Sequence, residues 1–83
     1  MVSVEDRDIV AEIGRLTAEE HRIERAHVGV GLSPDETRRR DELAVLLDQC
    51  WDLLAQRRAR RRAGQDPEGA AVRPPSVVER YQQ

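Results

Sequence analysis

The chain has no phenylalanine and no lysine, a single cysteine, and only two aromatic residues, Trp51 and Tyr81. Each shortage removes a class of protein. Eighty-three residues with so few large apolar side chains cannot enclose a deep pocket, which argues against a self-contained enzyme with a buried substrate site. A lone Cys50 excludes an internal disulfide and a cysteine-built zinc site. No apolar run approaches the roughly 18 residues a membrane span needs, so no membrane partner is expected. The start, Met1 to Asp6, lacks the basic residues and apolar core of a signal peptide. The net charge of −2 means that the molecule as a whole is no polyanion binder. The 14 basic residues are all arginine, which we read as a composition bias without functional meaning.

What is present is helix signal. Ser3 can cap a helix, with Asp6 closing the cap three residues later. Ile9, Ile13, Leu16 and Ile23 follow, with Glu20 and His27 filling the missing places, and these 4-3-4-3-4 spacings are a heptad seam. Gly14 lies off the seam and weakens the helix by about 1 kcal/mol. The first helix is expected over about 4–26. Gly29 and Gly31 suit a C-cap and a tight turn. Ser33-Pro34-Asp35-Glu36 is the strongest local signal: Ser33 as N-cap, Pro34 in the first helical position, Glu36 closing a capping box. The second helix is expected over about 34–63, stopped by Gly64.

A short connection makes the two helices antiparallel neighbours. The apolar residues of the second helix, Leu43, Leu46, Leu47, Cys50, Trp51, Leu53 and Leu54, cover roughly 160°, against roughly 80° for the first. The first helix therefore cannot cover the second, and the Leu47-Trp51-Leu54 flank needs another cover. Residues 65–83 form a tail. Asp66-Pro67-Glu68-Gly69 reads as a turn, and Arg73-Pro74-Pro75 as an extended, stiff piece. Ser76 to Glu79 spells another capping box, enough for one or two terminal helical turns presenting Val77, Val78 and Tyr81. The expected fold is all-α: a coiled-coil-like hairpin over 1–64 with a mostly extended tail, pairing into a dimeric four-helix bundle.

The run Leu47-Asp48-Gln49-Cys50-Trp51-Asp52-Leu53-Leu54 is distinctive. With Gln56-Arg57-Arg58-Ala59-Arg60-Arg61, Asp66-Pro67, Val72-Arg73-Pro74-Pro75, Glu19-Glu20-His21, Leu32-Ser33 and Asp35-Glu36, it resembles short actinobacterial proteins grouped as domain-of-unknown-function family 2630. The resemblance spans nearly the whole chain. It implies a self-standing small cytoplasmic protein and carries no activity over.

Three constellations bear on function. Arg57, Arg58, Arg60, Arg61 and Arg62 can form a strip that binds RNA or DNA phosphates. The same arginines suit a helix C-terminus and lie beside Glu5, Asp6, Asp8 and Glu12 in an antiparallel hairpin, so pairing across the seam is the favoured reading. The Trp51 flank, with Leu47 and Leu54, fits a homodimer interface first, and behind it, equally, a cover made by Val77, Val78 and Tyr81 or a site for an unidentified protein. Glu24 and His27 have the Glu-x-x-His spacing of di-iron bundles, with Glu20 one turn earlier and Glu36 opposite. Against a metal, Glu36 is committed to a cap, and Arg39 and Arg40 stand ready to satisfy Glu24. No cofactor is expected. Cys50 in the seam reads as a small buried thiol, and His21 as a surface histidine. The expectation is a non-catalytic interaction or self-assembly module whose working surface is the Leu47-Trp51-Leu54 flank, with the Arg73 to Tyr81 tail, Val77, Val78 and Tyr81 included, as a docking arm; a nucleic-acid or ribosome-associated helper is the alternative.

Overall fold

The computed structural model describes residues 5–26 and 29–80. Among these the elements are helix α1, Asp6–Ala26, helix α2, Pro34–Arg62, a single 3-10 turn, Pro67–Gly69, and a short helix α3, Pro75–Arg80; no strand occurs. The fold is all-α.

Each terminus is explained by local chemistry. At the start of α1 the Asp8 carboxylate accepts the Glu5 backbone N–H at 2.8 Å, and the Glu5 carbonyl accepts from Asp8 and Ile9. The closing acid is thus Asp8 and not Asp6, whose side chain is drawn away to arginines of α2. Ser3 lies outside the described residues, as do His27, Val28 and Tyr81. At the start of α2 both halves of the capping box are made: Glu36 N donates to Ser33 Oγ at 3.2 Å, and Ser33 N donates to Glu36 Oε1 at 3.0 Å. Pro34 occupies the first turn, where a missing N–H costs nothing. Gly64 ends α2 with φ +73°, letting Gln65 N reach the Arg60 carbonyl at 2.7 Å and Gly64 N the Arg61 carbonyl at 3.1 Å. This double closure is the Schellman motif.

The tail departs from the extended form. Pro74, not Ser76, starts α3: its carbonyl accepts from Val77 N at 2.9 Å and Val78 N at 3.2 Å. Pro75 takes the first helical position because its fixed φ already suits a helix.

The core follows the seam. Ile9, Ile13 and Leu54 form its centre, with Leu47, Cys50 and Leu53 packed against it. Leu16, Leu43 and Val78 are buried as well. Both the 3-10 turn and α3 pack on α2. The tail therefore folds back along α2 and extends the hairpin with a third layer of contact.

Candidate interaction surfaces

The structure brings three groups together: an arginine knot at the end of the hairpin, a strap along one edge of α2, and an open face on the other edge.

The knot centres on Arg57, whose side chain is only 8% exposed. Its Nε donates to Asp6 Oδ1 at 2.7 Å, and its Nη1 reaches the Pro67 carbonyl and Glu68 Oε1, each at 3.4 Å. Arg61 pairs with the same Asp6 carboxylate. Hydrogen bonds from Arg61 first, then Arg57, hold the Asp6 carboxyl below the usual carboxylate range. Arg60 Nε donates to the Asp66 carbonyl at 2.7 Å, and a Cβ on Gly69 would fall on the Arg60 guanidinium. Three of the five arginines therefore tie α1, α2 and the 3-10 turn to one another. Arg58 and Arg62 are exposed and make no ion pair or hydrogen bond among the described residues. Of the four acids placed beside the run by the sequence, only Asp6 joins it. Glu5 pairs with Arg7, Glu12 with Arg15, and Asp8 serves the cap. The missing partners come from the turn, because Asp66 and Glu68 return to this end once Gly64 reverses the chain.

The strap is the part that sequence reasoning missed. Arg73 forks onto Asp52, with Nε to Oδ2 at 2.9 Å and Nη2 to Oδ1. Gln56 Nε2 donates to Asp52 Oδ2 and to the Ala71 carbonyl, both at 2.8 Å. Gln49 Nε2 donates to the Arg73 carbonyl at 3.1 Å. Gln49, Asp52 and Gln56 are spaced three and four apart, hence on one stripe of α2. That polar stripe beside the apolar one was the available signal. The Arg73 fork, and less strongly Gln56, hold the Asp52 carboxyl below the usual range against its partial burial. Under the strap, Leu16, Leu46, Cys50, Leu53 and Val72 line a small hollow. Burial raises the Cys50 thiol above its ordinary value, so its thiolate is disfavoured.

Strap and Trp51 lie on opposite edges. With Leu43 directed at α1, 100° per residue puts Leu46, Gln49 and Leu53 on one side and Leu47, Trp51 and Arg58 on the other. The tail half-covers Gln49 and Leu53 on the first side and leaves Leu46 39% exposed. Val78 is buried on α2 and Val77 half-buried, yet Trp51 remains 53% exposed. Leu54, expected on the flank, is 1% exposed in the core centre, and Leu47 is half-buried against it. The open flank reduces to Trp51 and the outer edge of Leu47. Val10 of α1, also more than half exposed, turns to the same side. At the other end of α2 a groove of about 570 Å³ runs between Val45, Leu46 and Pro75. Its rim mixes Arg38 with Asp41 and Glu42, so it selects neither sign of charge.

The Glu24 constellation is rearranged. Arg39 turns away from Glu24 to a fork on Glu19, at 2.6 and 3.0 Å, with Glu42 at 3.3 Å. The Arg39 hydrogen bonds hold Glu19 below the usual carboxylate range. Glu36 is engaged in the cap. Among the described residues no three His, Cys, Asp or Glu side chains are placed to hold a metal ion. No described helix is long and apolar enough to cross a membrane.

These features define a class: a small all-α protein in which a helical hairpin is locked by an arginine knot and a C-terminal strap. Comparison with known sequences then gives the family. Residues 5–83 match the model described as protein of unknown function (DUF2630), and the chain belongs to that family. Uncharacterised proteins of Mycobacterium tuberculosis and Mycobacterium bovis are 45% identical to it over 78 residues, covering 92% of this chain and 88% of each relative. No solved structure matches.

Proposed function

We propose that this protein is a non-catalytic self-assembly module that works as a homodimer in the cytoplasm. The reading rests on one observation: Trp51 stands 53% exposed in the middle of the longest helix, on the edge that the strap leaves open. An exposed tryptophan beside Leu47 and Val10 makes an apolar patch of the kind that anchors an interface. The tail, with Val77 and Val78, serves the fold of the protomer. Trp51→Ala should convert the dimer to monomer, raising the dissociation constant by about 30-fold or more. Light scattering over a dilution series reads this directly. An unchanged mass across that series rejects the reading.

The nucleic-acid alternative is weakened by the knot. With Arg57, Arg60 and Arg61 engaged by Asp6 and the 3-10 turn, Arg58 and Arg62 are left unpaired among the described residues to meet phosphate. Two contacts give a salt slope of only about −2 on duplex DNA, where five would give about −4.5. Retention on duplex DNA or RNA at low salt, with the steeper slope, would restore that alternative.

A further inference from the structure

Gly14 lies in the middle of α1, where a glycine weakens a helix, and nothing in the protomer calls for it. Its φ is not in the left-handed region, and a Cβ there would meet nothing within 4 Å. It sits on the outer part of the same open face as Val10 and Trp51. The contacts of Asp6 with Arg57, and of Ile9 and Ile13 with Leu54, set the heights of the two helices. Gly14 then lies level with Trp51, Glu24 with Arg40, and Asp6 with Arg58.

The charges on this face are divided between the helices. The α2 edge carries Arg40, Arg58 and Arg62, with Asp48 further out, and the α1 edge carries Glu24 and Asp6, the latter already paired with Arg57 and Arg61. Glu24 is exposed and without an ion pair among the described residues, and Arg40 reaches only its neighbour Asp41 at 4.0 Å. Two copies can stack these faces about a two-fold axis in two ways. An axis across the helices lays α2 antiparallel on α2 and sets Arg40 against Arg58 and Arg62, like on like. An axis along the helices keeps every height, lays α2 of one copy over α1 of the other, and sets Arg40 beside Glu24. It also makes every neighbouring helix pair antiparallel, as in an up-down four-helix bundle.

We infer that the second copy stacks about the axis parallel to the helices, with Trp51 of each copy seated over Gly14 of the other. This rests on the homodimer reading above and adds its orientation and its socket. In this packing Leu47 stands over Thr17 and Ala55 over Val10, so large residues meet small ones. The α1 span of 21 residues and the width of two helices give a face of about 30 by 20 Å. That is roughly 600 Å² in projection, close to the scale of about 800 Å² per partner in a stable complex.

The test uses the full chain in three measurements. Light scattering first establishes whether a dimer exists; a monomer at every concentration overturns both the homodimer reading and this one. A spin label at Ala63→Cys in a Cys50→Ala background then reads the orientation. The inference expects a distance of about 15–25 Å between labels, both at one end of the bundle. A dimer with labels about 35 Å or more apart overturns the orientation while leaving the homodimer standing. Finally, Gly14→Leu should raise the dimer dissociation constant by about tenfold or more with helix content retained. At low salt, Glu24→Arg and Arg40→Glu should each weaken the dimer, and the double variant should recover it. A Gly14→Leu dimer as tight as wild type, or a double variant no better than the singles, overturns the socket.

Discussion

Leu54→Ala is expected to destabilise the protein by roughly 2–5 kcal/mol. Leu54 is 1% exposed and touches both Ile9 and Ile13, so truncation removes the side chain that joins the two helices at the core centre. The site has little means to collapse around the loss. The helices on either side are held in register by the Arg57 and Arg61 pairs with Asp6 and by the Arg39 fork on Glu19. A chain of this size has about 4–12 kcal/mol of stability in all. The variant should therefore melt far below wild type by circular dichroism or urea titration, and in the weaker part of that range it should not fold. A shift equivalent to less than about 1 kcal/mol would mean that the hairpin core is not where its stability lies. The contrast is Trp51→Ala, which should change protomer stability little at concentrations where the protein is monomeric, because Trp51 is half exposed.

Asp52→Ala should open the strap. Asp52 is 11% exposed, and its two oxygens accept from Arg73 and Gln56; removal leaves the Arg73 guanidinium, 37% exposed, to find water. Hydrogen bonds to charged groups are worth about 1.5–3 kcal/mol each when buried, and the exposure of Arg73 brings the expected loss to about 1–2 kcal/mol for strap closure. The opening is local, since the strap contacts α2 and the knot beyond it remains. Cys50 reports it. Its thiol lines the hollow beneath Val72, and a lifted strap should speed its reaction with a disulfide reagent by about the same free energy, roughly 5- to 30-fold. An unchanged Cys50 rate, with Val77 and Val78 amides equally protected, would show that the strap is held by apolar contact alone.

The same contact predicts a pH dependence. The Asp52 carboxyl is held below its ordinary value in the folded chain, chiefly by Arg73. The ionised form is therefore favoured by folding, and its contribution is fully present above about pH 4, the unfolded value. It is lost as pH falls further, through the lowered folded value. Cys50 accessibility measured at fixed intervals down from pH 5 to pH 2, by a reagent active in acid, should rise in that window. Asp52→Ala should flatten the profile.

Much of this architecture was legible in the residue order because it is local. Ser33-Pro34-Asp35-Glu36 starts α2 wherever it occurs in a chain, since the capping partners are three residues apart. Gly64 stops it because a left-handed residue is tolerated there only without a Cβ. The seam of Ile9, Ile13 and Leu16 became the buried face of α1 by helical periodicity. Heptad spacing and a short connection were enough for an antiparallel all-α hairpin. The excess arc on α2 was also legible, and so was the conclusion that one edge must find another cover.

Which edge the tail would cover was not legible. Apolar pattern alone favours Trp51, the largest apolar side chain available. The strap lies instead over Leu53 and beside Leu46, where Gln56 and Gln49 donate to the backbone carbonyls of Ala71 and Arg73 as they pass along α2. At the corresponding places the Trp51 edge has Ala44, Asp48 and Ala55, none of which has a side-chain N–H to give. The arginine run was divided in the same way. Five neighbouring charges of one type look equivalent along the chain, but 100° between successive residues points Arg57 at α1 and Arg58 at solvent. Helix ends and buried stripes follow from neighbours within a turn or two. The partners of a polar side chain follow from which distant backbone passes beside it, and that depends on the packing of the whole chain.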